Sequence, residues 1–447
     1  MTKKVIKAIA FILGLCLILA AAQHVFVYDD FRIYQSVGGF YAEEKNKLDA
    51  VYVGASNVYA FFQPAVAWNE HGIAVYTLST PSMLIPAVKN YLIEARKTQP
   101  DALYIINLNN CRNARTVNEA RLHYVSDYMK FSLNKVDMIE KMVDYTEFSD
   151  TEKLEFYFPF IRYHSNWEEL TAEHFTRKLN GMKGSSYYSL FIKTREDITK
   201  ACTESDKRRA IPENVEAELD DLLDYCEKEQ VNVLFAIVPQ GLENVKHGEI
   251  LNSVADKVTE RGFTLLNLLH SFDELSLDKT KDFYDHEHTN VHGSIKFTHY
   301  LSKYLIENYG FEDKRGIEEY ADWDQGAKDY YDMIGVYTYP FEHRDELRDL
   351  SMRMPQELTA KQKKQSVSVA WEAVEGATGY YVYRRDRDAQ KVWGVWNELA
   401  YVDGTQYTDA TVEKGLRYTY VAVPVKEVDD RVLYGDVDYA GVSITVK

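Results

Sequence analysis

From about residue 48 to residue 305 the chain alternates short apolar runs with amphipathic stretches, and this pattern most limits how it can fold. "LDAVYVGASNVYAFF" opens with an apolar run from Ala50 to Val53 and turns at Gly54. "GIAVYTLST" is a second strand and turn, and "DALYIINLNN" a third strand with a polar end. Between them "AVKNYLIEARKTQ" has helical periodicity and stops at Pro100. Helix "ENVEAELDDLLDYCEKEQV" leads into a fourth strand, "NVLFAIVPQG", and "ILNSVADKVTERG" into a fifth, "FTLLNLL". Continuous apolar runs suit strands covered on both faces, and intervening helices suit parallel pairing. The expected fold class is α/β, a three-layer sandwich around a parallel sheet. Functional groups of such sheets gather beyond the carboxyl ends of the strands. Here those ends are residues 54–57, 79–82, 107–112 and 239–241.

The remaining segments read differently. Residues 120–200 are rich in aromatics, as in "LEFYFPFIRYHSNW", and are expected to form a mostly helical insertion, either a lid or a packing layer. Residues 313–360 are acidic and Tyr-rich without clear periodicity and read as a connector. From Gln365 onward the period becomes two: "SVSVAWEAVEGATGYYVYRR" and "LRYTYVAVPV" alternate, with turns at regular spacing. That is the pattern of a small all-β sandwich. Residues 361–447 resemble a fibronectin type III domain, through "VAWEAVEGATGYYVYR" and "GLRYTYVAV". The resemblance implies that Trp371 is the core tryptophan of an early strand. It makes Tyr418 the late-strand tyrosine whose hydroxyl ties back to the preceding turn.

The N-terminus, "MTKKVIKAIAFILGLCLILAAAQ", places Lys3, Lys4 and Lys7 before an apolar run that ends at Ala22. Basic residues ahead of an apolar segment keep the N-terminus cytoplasmic and send the rest outward. Ala20-Ala21-Ala22 would suit signal cleavage, but with Val5 and Ile6 included the run approaches the ~20 residues of a span. Residues 1–23 are therefore read as a single membrane anchor, or as a signal peptide if cleaved. The formal charge of −17 argues against nucleic acid, which is bound by Lys and Arg neutralising phosphates. Cys16, Cys111, Cys202 and Cys226 form neither a CxxC pair nor a disulfide framework.

Two elements carry chemistry. Ser56 follows Gly54 on the turn after the first strand, where a hydroxyl projects above the sheet; the plainer reading is a helix N-cap. Asp285 and His288 lie in "FYDHEHTNVHG", a spacing that sets a carboxylate beside the imidazole Nδ1 and leaves Nε2 to face a nucleophile. Asn290 reads as the N-cap of a following helix, with Ile295, Leu301 and Leu305 inward and Gly310 at its end. His286 and His292 read as loop residues, because no HExxH or Cys cluster supports a metal site; no metal and no cofactor is expected. Arg112 and Arg115 follow the third strand and suit either an anionic substrate or internal ion pairs.

Taken together, "DAVYVGASNVY", "GIAVYTLSTPS" and "YDHEHTNVHGSIKFTHYL" resemble the SGNH/GDSL hydrolase superfamily. Within it they are similar to the cell-surface branch near the D-alanyl-lipoteichoic-acid and alginate O-acetylation proteins. The likeness covers roughly residues 40–310, and the domain it implies is drawn at residues 24–312. It implies Ser56 as nucleophile, His288 as general base and Asp285 as its orienting partner, in acyl transfer through an acyl-serine. It implies an oxyanion hole drawn from the Ser56 N–H, Thr80, Asn109 and Asn110, with Asn57 and Arg112 as substrate contacts. The substrate would be an acyl ester, foremost acetyl, of a cell-envelope polysaccharide or teichoic acid, and a membrane-bound acyltransferase is the implied partner. The sequence departs from the family in three places. No second-block Gly is visible in "LSTPS", "NLNNCRN" replaces Gly-x-Asn, and Asn57 stands where a His commonly follows the Ser. Hydrolysis, transfer and a non-catalytic version that binds glycan or protein through the fibronectin-like domain all stay open.

Overall fold

The computed structural model describes residues 3–27, 31–112, 117–188, 205–241, 245–279, 282–338, 349, 351–387, 397–428, 431–437 and 441–447. Cys202, Arg115 and the end of the aromatic insertion lie outside these residues. The chain divides into two compact units, Met1–Lys328 and Asp329–Lys447.

The first unit is built on five parallel strands: β1 (Ala50–Gly54), β2 (Val75–Ser79), β3 (Leu103–Asn107), β4 (Val233–Ile237) and β5 (Leu265–Asn267). Their order is β2-β1-β3-β4-β5. Every residue of β1, β2 and β3 is buried, as the unbroken apolar runs require for strands covered on both faces. Helices flank the sheet: α1 (Ser56–Phe61), α2 (Pro64–His71), α3 (Ile85–Arg96), α4 (Glu119–Ser126), α5 (Leu133–Val143), α6 (Asp150–Tyr157), α7 (Glu213–Lys228), α8 (Val245–Glu260) and α9 (Val291–Tyr309). From β1 the chain moves one way to β2 and then returns across β1 to β3. The carboxyl ends of β1 and β3 thus form a topological switch point, the place where open α/β sheets bind ligands.

The aromatic insertion is mostly helical where it is described, through α4, α5 and α6, and becomes irregular over residues 176–188. The segment read as a connector instead contains a helix, α10 (Ala321–Thr338). Trp323, Ala327 and Ile334 are buried along it at helical spacing. Its Gly326 packs directly on the backbone of Gly181: a Cβ there would lie 2.5 Å from the Gly181 carbonyl. In α9, Leu301 and Leu305 are fully buried, but Ile295 is only half-buried; Val291 and Phe297 take the inward positions instead. Asn290 caps α9 through Oδ1, which accepts from the N–H groups of His292 (3.0 Å) and Gly293 (3.2 Å), and Gly310 ends it in the left-handed conformation. Ahead of these elements runs a separate helix, Lys3–Phe26, long and apolar enough to cross a membrane.

The second unit is an all-β sandwich. One sheet contains β6 (Thr359–Lys363), β7 (Ser366–Ala370) and β10 (Gln406–Asp409). The other contains β8 (Gly379–Arg387), β9 (Asn397–Val402), β11 (Arg417–Val428), β12 (Arg431–Tyr434) and β13 (Val442–Thr445). Val367, Val369, Trp371, Val382 and Tyr420 from both sheets share one core. The Tyr418 hydroxyl accepts from the Glu413 N–H at 2.7 Å, tying the late strand back to its turn.

In the first unit Phe61 of α1 meets Phe283 (centroids 6.2 Å) and Phe297 (5.3 Å) edge to face. Phe61→Ala is therefore expected to cost about 3–5 kcal/mol, read by urea unfolding of the purified chain. A cost below about 1 kcal/mol would mean that this contact does not hold the two elements together.

Candidate active site

Ser56 is the first residue of α1, immediately beyond β1. Ala55 holds the N-cap position without a side-chain bond, so the Ser56 hydroxyl does not cap the helix. Gly54 is required by close approach, because a Cβ there would lie 2.8 Å from both the Asn107 Cβ and the Val58 Cγ2. This contact lets the turn sit tight against β3 and lifts Ser56 over the sheet.

His288 reaches Ser56 from the opposite end of the unit. Its Nε2 lies 2.8 Å from Ser56 Oγ, and its Nδ1 lies 2.9 Å from both Asp285 carboxylate oxygens. Asp285 Oδ1 also accepts the backbone N–H groups of Glu287 (2.8 Å) and His288 (2.9 Å). Burial raises the Asp285 carboxyl pKa, but the hydrogen bond and charge of His288 and these two N–H groups outweigh it and hold the group below the ordinary aspartate range. Asp285 is thus an anion beside Nδ1, which fixes the proton there and leaves Nε2 as acceptor for the serine hydroxyl.

The loop carrying His288 is fastened on several sides. Phe283 and Thr289 pair across it as an isolated bridge, and Tyr284 N–H donates to the His288 carbonyl at 2.9 Å. The buried Thr289 hydroxyl donates to the Ala60 carbonyl in α1 at 2.8 Å. Gly241, beyond β4, donates its N–H to the His286 carbonyl at 2.8 Å. Gly293 passes so close to the Asp282 carbonyl that a Cβ would lie 2.1 Å from it. His286 thus serves through its backbone. Burial and Lys296 push the His292 imidazole down to about 4, so it stays neutral at physiological pH.

The floor of the switch point is a chain of amides. Asn57 Nδ2 donates to Asn107 Oδ1 at 3.1 Å, and Asn107 Nδ2 donates to Asn109 Oδ1 at 3.0 Å. Asn109 exchanges two bonds with Val238, giving Nδ2 to its carbonyl (2.9 Å) and accepting its N–H (2.8 Å). Asn109 is therefore a brace, with both ends of its amide engaged, rather than the oxyanion donor the sequence suggested. Asn110 gives Nδ2 to the Met83 carbonyl at 2.5 Å. The Thr80 hydroxyl is buried without a hydrogen-bond partner, beside Gly54, whose carbonyl accepts the Thr80 N–H at 3.4 Å. Asn57 lies in the buried floor rather than on an open substrate wall. Sequence reading passed over Asn107 as an individual residue. The signal was its position as the last residue of an apolar strand.

Arg112 is also buried, and its guanidinium bonds Gln240 and Glu287. It links the end of β3 to the loop of Asp285 and His288, and so acts as an internal ion pair. An aromatic wall stands beside the imidazole: Tyr188 stacks on Tyr284 (centroids 4.4 Å, 14° apart) and lies 5.3 Å from the His288 ring.

Two outcomes follow. Arg112→Gln is expected to lower stability by about 1–3 kcal/mol, and a double-mutant cycle with Glu287→Gln should recover part of the loss as coupling. A folded-state pKa held low stabilises above the unfolded aspartate value of ~3.9, and that contribution fades as pH falls through the lower folded value. Asp285→Asn should therefore destabilise more at pH 7 than near pH 2, as measured by urea unfolding at both pH values. An equal effect at both would contradict the ionised carboxylate.

No protein-family model and no curated protein matches the chain. Among solved structures it is similar to an Fn3-like protein from Clostridium thermocellum, at 25% identity, covering 20% of this chain and 88% of that one, with a TM-score of 0.16. It is also similar to the FN3 domain of human collagen XX, at 17% identity, covering 21% and 88%, with a TM-score of 0.16. A third likeness, to an FN3tt mutant, has 15% identity, covers 21% and 97%, and has a TM-score of 0.17. The C-terminal unit is an all-β sandwich of two antiparallel sheets, and these likenesses say nothing about chemistry.

Proposed function

We propose that this chain is an extracytoplasmic serine esterase or O-acyltransferase acting on acyl, foremost acetyl, esters of a cell-envelope polysaccharide or teichoic acid. The observation that carries the reading is the unbroken relay from Ser56 Oγ through His288 to Asp285, with contacts of 2.8 and 2.9 Å. Ser56 Oγ attacks the acyl carbonyl while His288 Nε2 takes its proton. The imidazolium, held by Asp285, then returns the proton to the departing sugar or polyol oxygen, leaving an acyl-serine. Water or an acceptor hydroxyl, deprotonated by His288, releases the acyl group. The Ser56 N–H begins a helix and has no intrahelical acceptor, so it is available to the oxyanion.

The stacked Tyr188 and Tyr284 support a sugar-bearing substrate, since aromatic faces pack against the apolar faces of sugar rings. The apolar helix Lys3–Phe26, with Lys3, Lys4 and Lys7 in its first turns, supports an anchor that leaves the rest outside the membrane, or a leader that is removed. The resemblance of the Ser56 and Asp285–His288 blocks to SGNH hydrolases supports the same reading. The non-enzymatic alternative would be favoured by a serine out of reach of its base; a separation of 2.8 Å favours the enzyme.

Ser56→Ala is expected to abolish hydrolysis of p-nitrophenyl acetate, and a fluorophosphonate probe should label the wild type at Ser56 alone. His288→Ala should lower turnover by about 10³-fold or more. Undiminished turnover by Ser56→Ala would remove the proposal. Ester release from purified cell-wall polymers, compared between wild type and Ser56→Ala, identifies the substrate.

A further inference from the structure

A second group of donors lies away from Ser56, in the helical insertion. Glu119 and His123 are one turn and a fraction apart on α4, a spacing that puts both on one helix face. Asn118 caps that helix by accepting the Arg121 N–H at 2.9 Å. Glu155 faces them from α6, which a Ser149–Glu152 capping box holds at its start. A ring nitrogen of His123 and a carboxylate oxygen from each glutamate lie within 4.8 Å of one another.

The second observation is the state of His123. Its side chain is only 4% exposed. Nδ1 lies 2.8 Å from Asp127 Oδ1, and Asp127 also accepts the Tyr163 hydroxyl (2.8 Å) and the Ser126 hydroxyl (3.3 Å). With three donors converging on it, Asp127 is an acceptor, so the Nδ1 position carries the proton. Nε2 then presents a lone pair, and it is buried without a hydrogen-bond partner. An imidazole fixed through Nδ1 by a carboxylate, with a bare Nε2, is arranged as a metal ligand with its supporting partner. The nearby cation is Arg162, whose guanidinium bonds Glu119 and lies 4.0 Å from Glu155.

We infer that Glu119, His123 and Glu155 bind a divalent cation of the Zn²⁺ type, oriented by Asp127, which staples α4 to α6. One nitrogen and two carboxylate donors suit a borderline ion, bound at ~2.0–2.2 Å once the side chains close. The ion and Arg162 compete for the same carboxylates. The partial exposure of Glu119 and Glu155, with side chains 44% and 21% accessible, leaves a route of entry. This inference is independent of the Ser56 reading.

The test is calorimetric titration of ZnCl₂ into the full chain in detergent, after stripping with chelator. One equivalent should bind, and the thermal midpoint should rise with Zn²⁺ concentration. His123→Gln and Glu155→Gln should each abolish or greatly weaken that equivalent, and Asp127→Asn should weaken it by about 10–100-fold. Arg162→Gln should strengthen it. Failure of the wild type to bind would overturn the inference. So would undiminished binding by Glu155→Gln, which is partly exposed and expected to fold. Loss of the equivalent in His286→Ala with retention in His123→Gln would place the ion in the other histidine loop and also overturn it.

Discussion

The candidate site depends on a join between two segments far apart in sequence. Ser56 and His288 are separated by 232 positions, and the relay exists only where their two segments meet. The buried bond from the Thr289 hydroxyl to the Ala60 carbonyl sews the histidine loop to the serine helix, and Phe61 between Phe283 and Phe297 fills the seam. A buried hydrogen bond inside an apolar contact is costly to break, because each freed group would lose its partner without gaining water. The geometry of the relay is set by this seam. The final helix α9 can then serve as a rigid mount, capped by Asn290 just behind His288.

Much of this was legible in the sequence, for physical reasons. Strands buried on both faces need unbroken apolar runs, so β1 to β4 could be read from their apolar runs, while the short, partly exposed edge strand β5 was read from the helical pattern ahead of it. The spacing of Asp285 and His288 ahead of an Asn cap fixes their relation locally, since so few residues separate them. The partner serine was suggested by its place after the first strand. The floor was harder to read. Asn107, Asn109 and Asn110 fall in one polar run, and which of them meets Asn57 depends on where β3 ends relative to β1. That is a matter of register between strands and leaves no local trace. Arg112 posed the same difficulty: whether it faces a substrate or Glu287 is decided by the loop that arrives from residue 287.

The helix Ala321–Thr338 shows the opposite case, a signal present but masked. Trp323, Ala327 and Ile334 have helical spacing, yet acidic residues and Gly326 interrupt the pattern. Gly326 is explained only by the backbone of Gly181 against it. A residue chosen for close approach looks like a helix breaker until its neighbour is known.

The amide floor has one more consequence. Asn57, Asn107 and Asn109 cross three adjacent strand ends without a single ionisable group among them. Amides neither take up nor release protons over the range in which an imidazole titrates. The platform beneath the serine therefore keeps the same polarity from acid to alkali. The ionisable members of the relay, His288 and Asp285, both arrive on a single loop ahead of α9, so a neutral bed meets a charged arm.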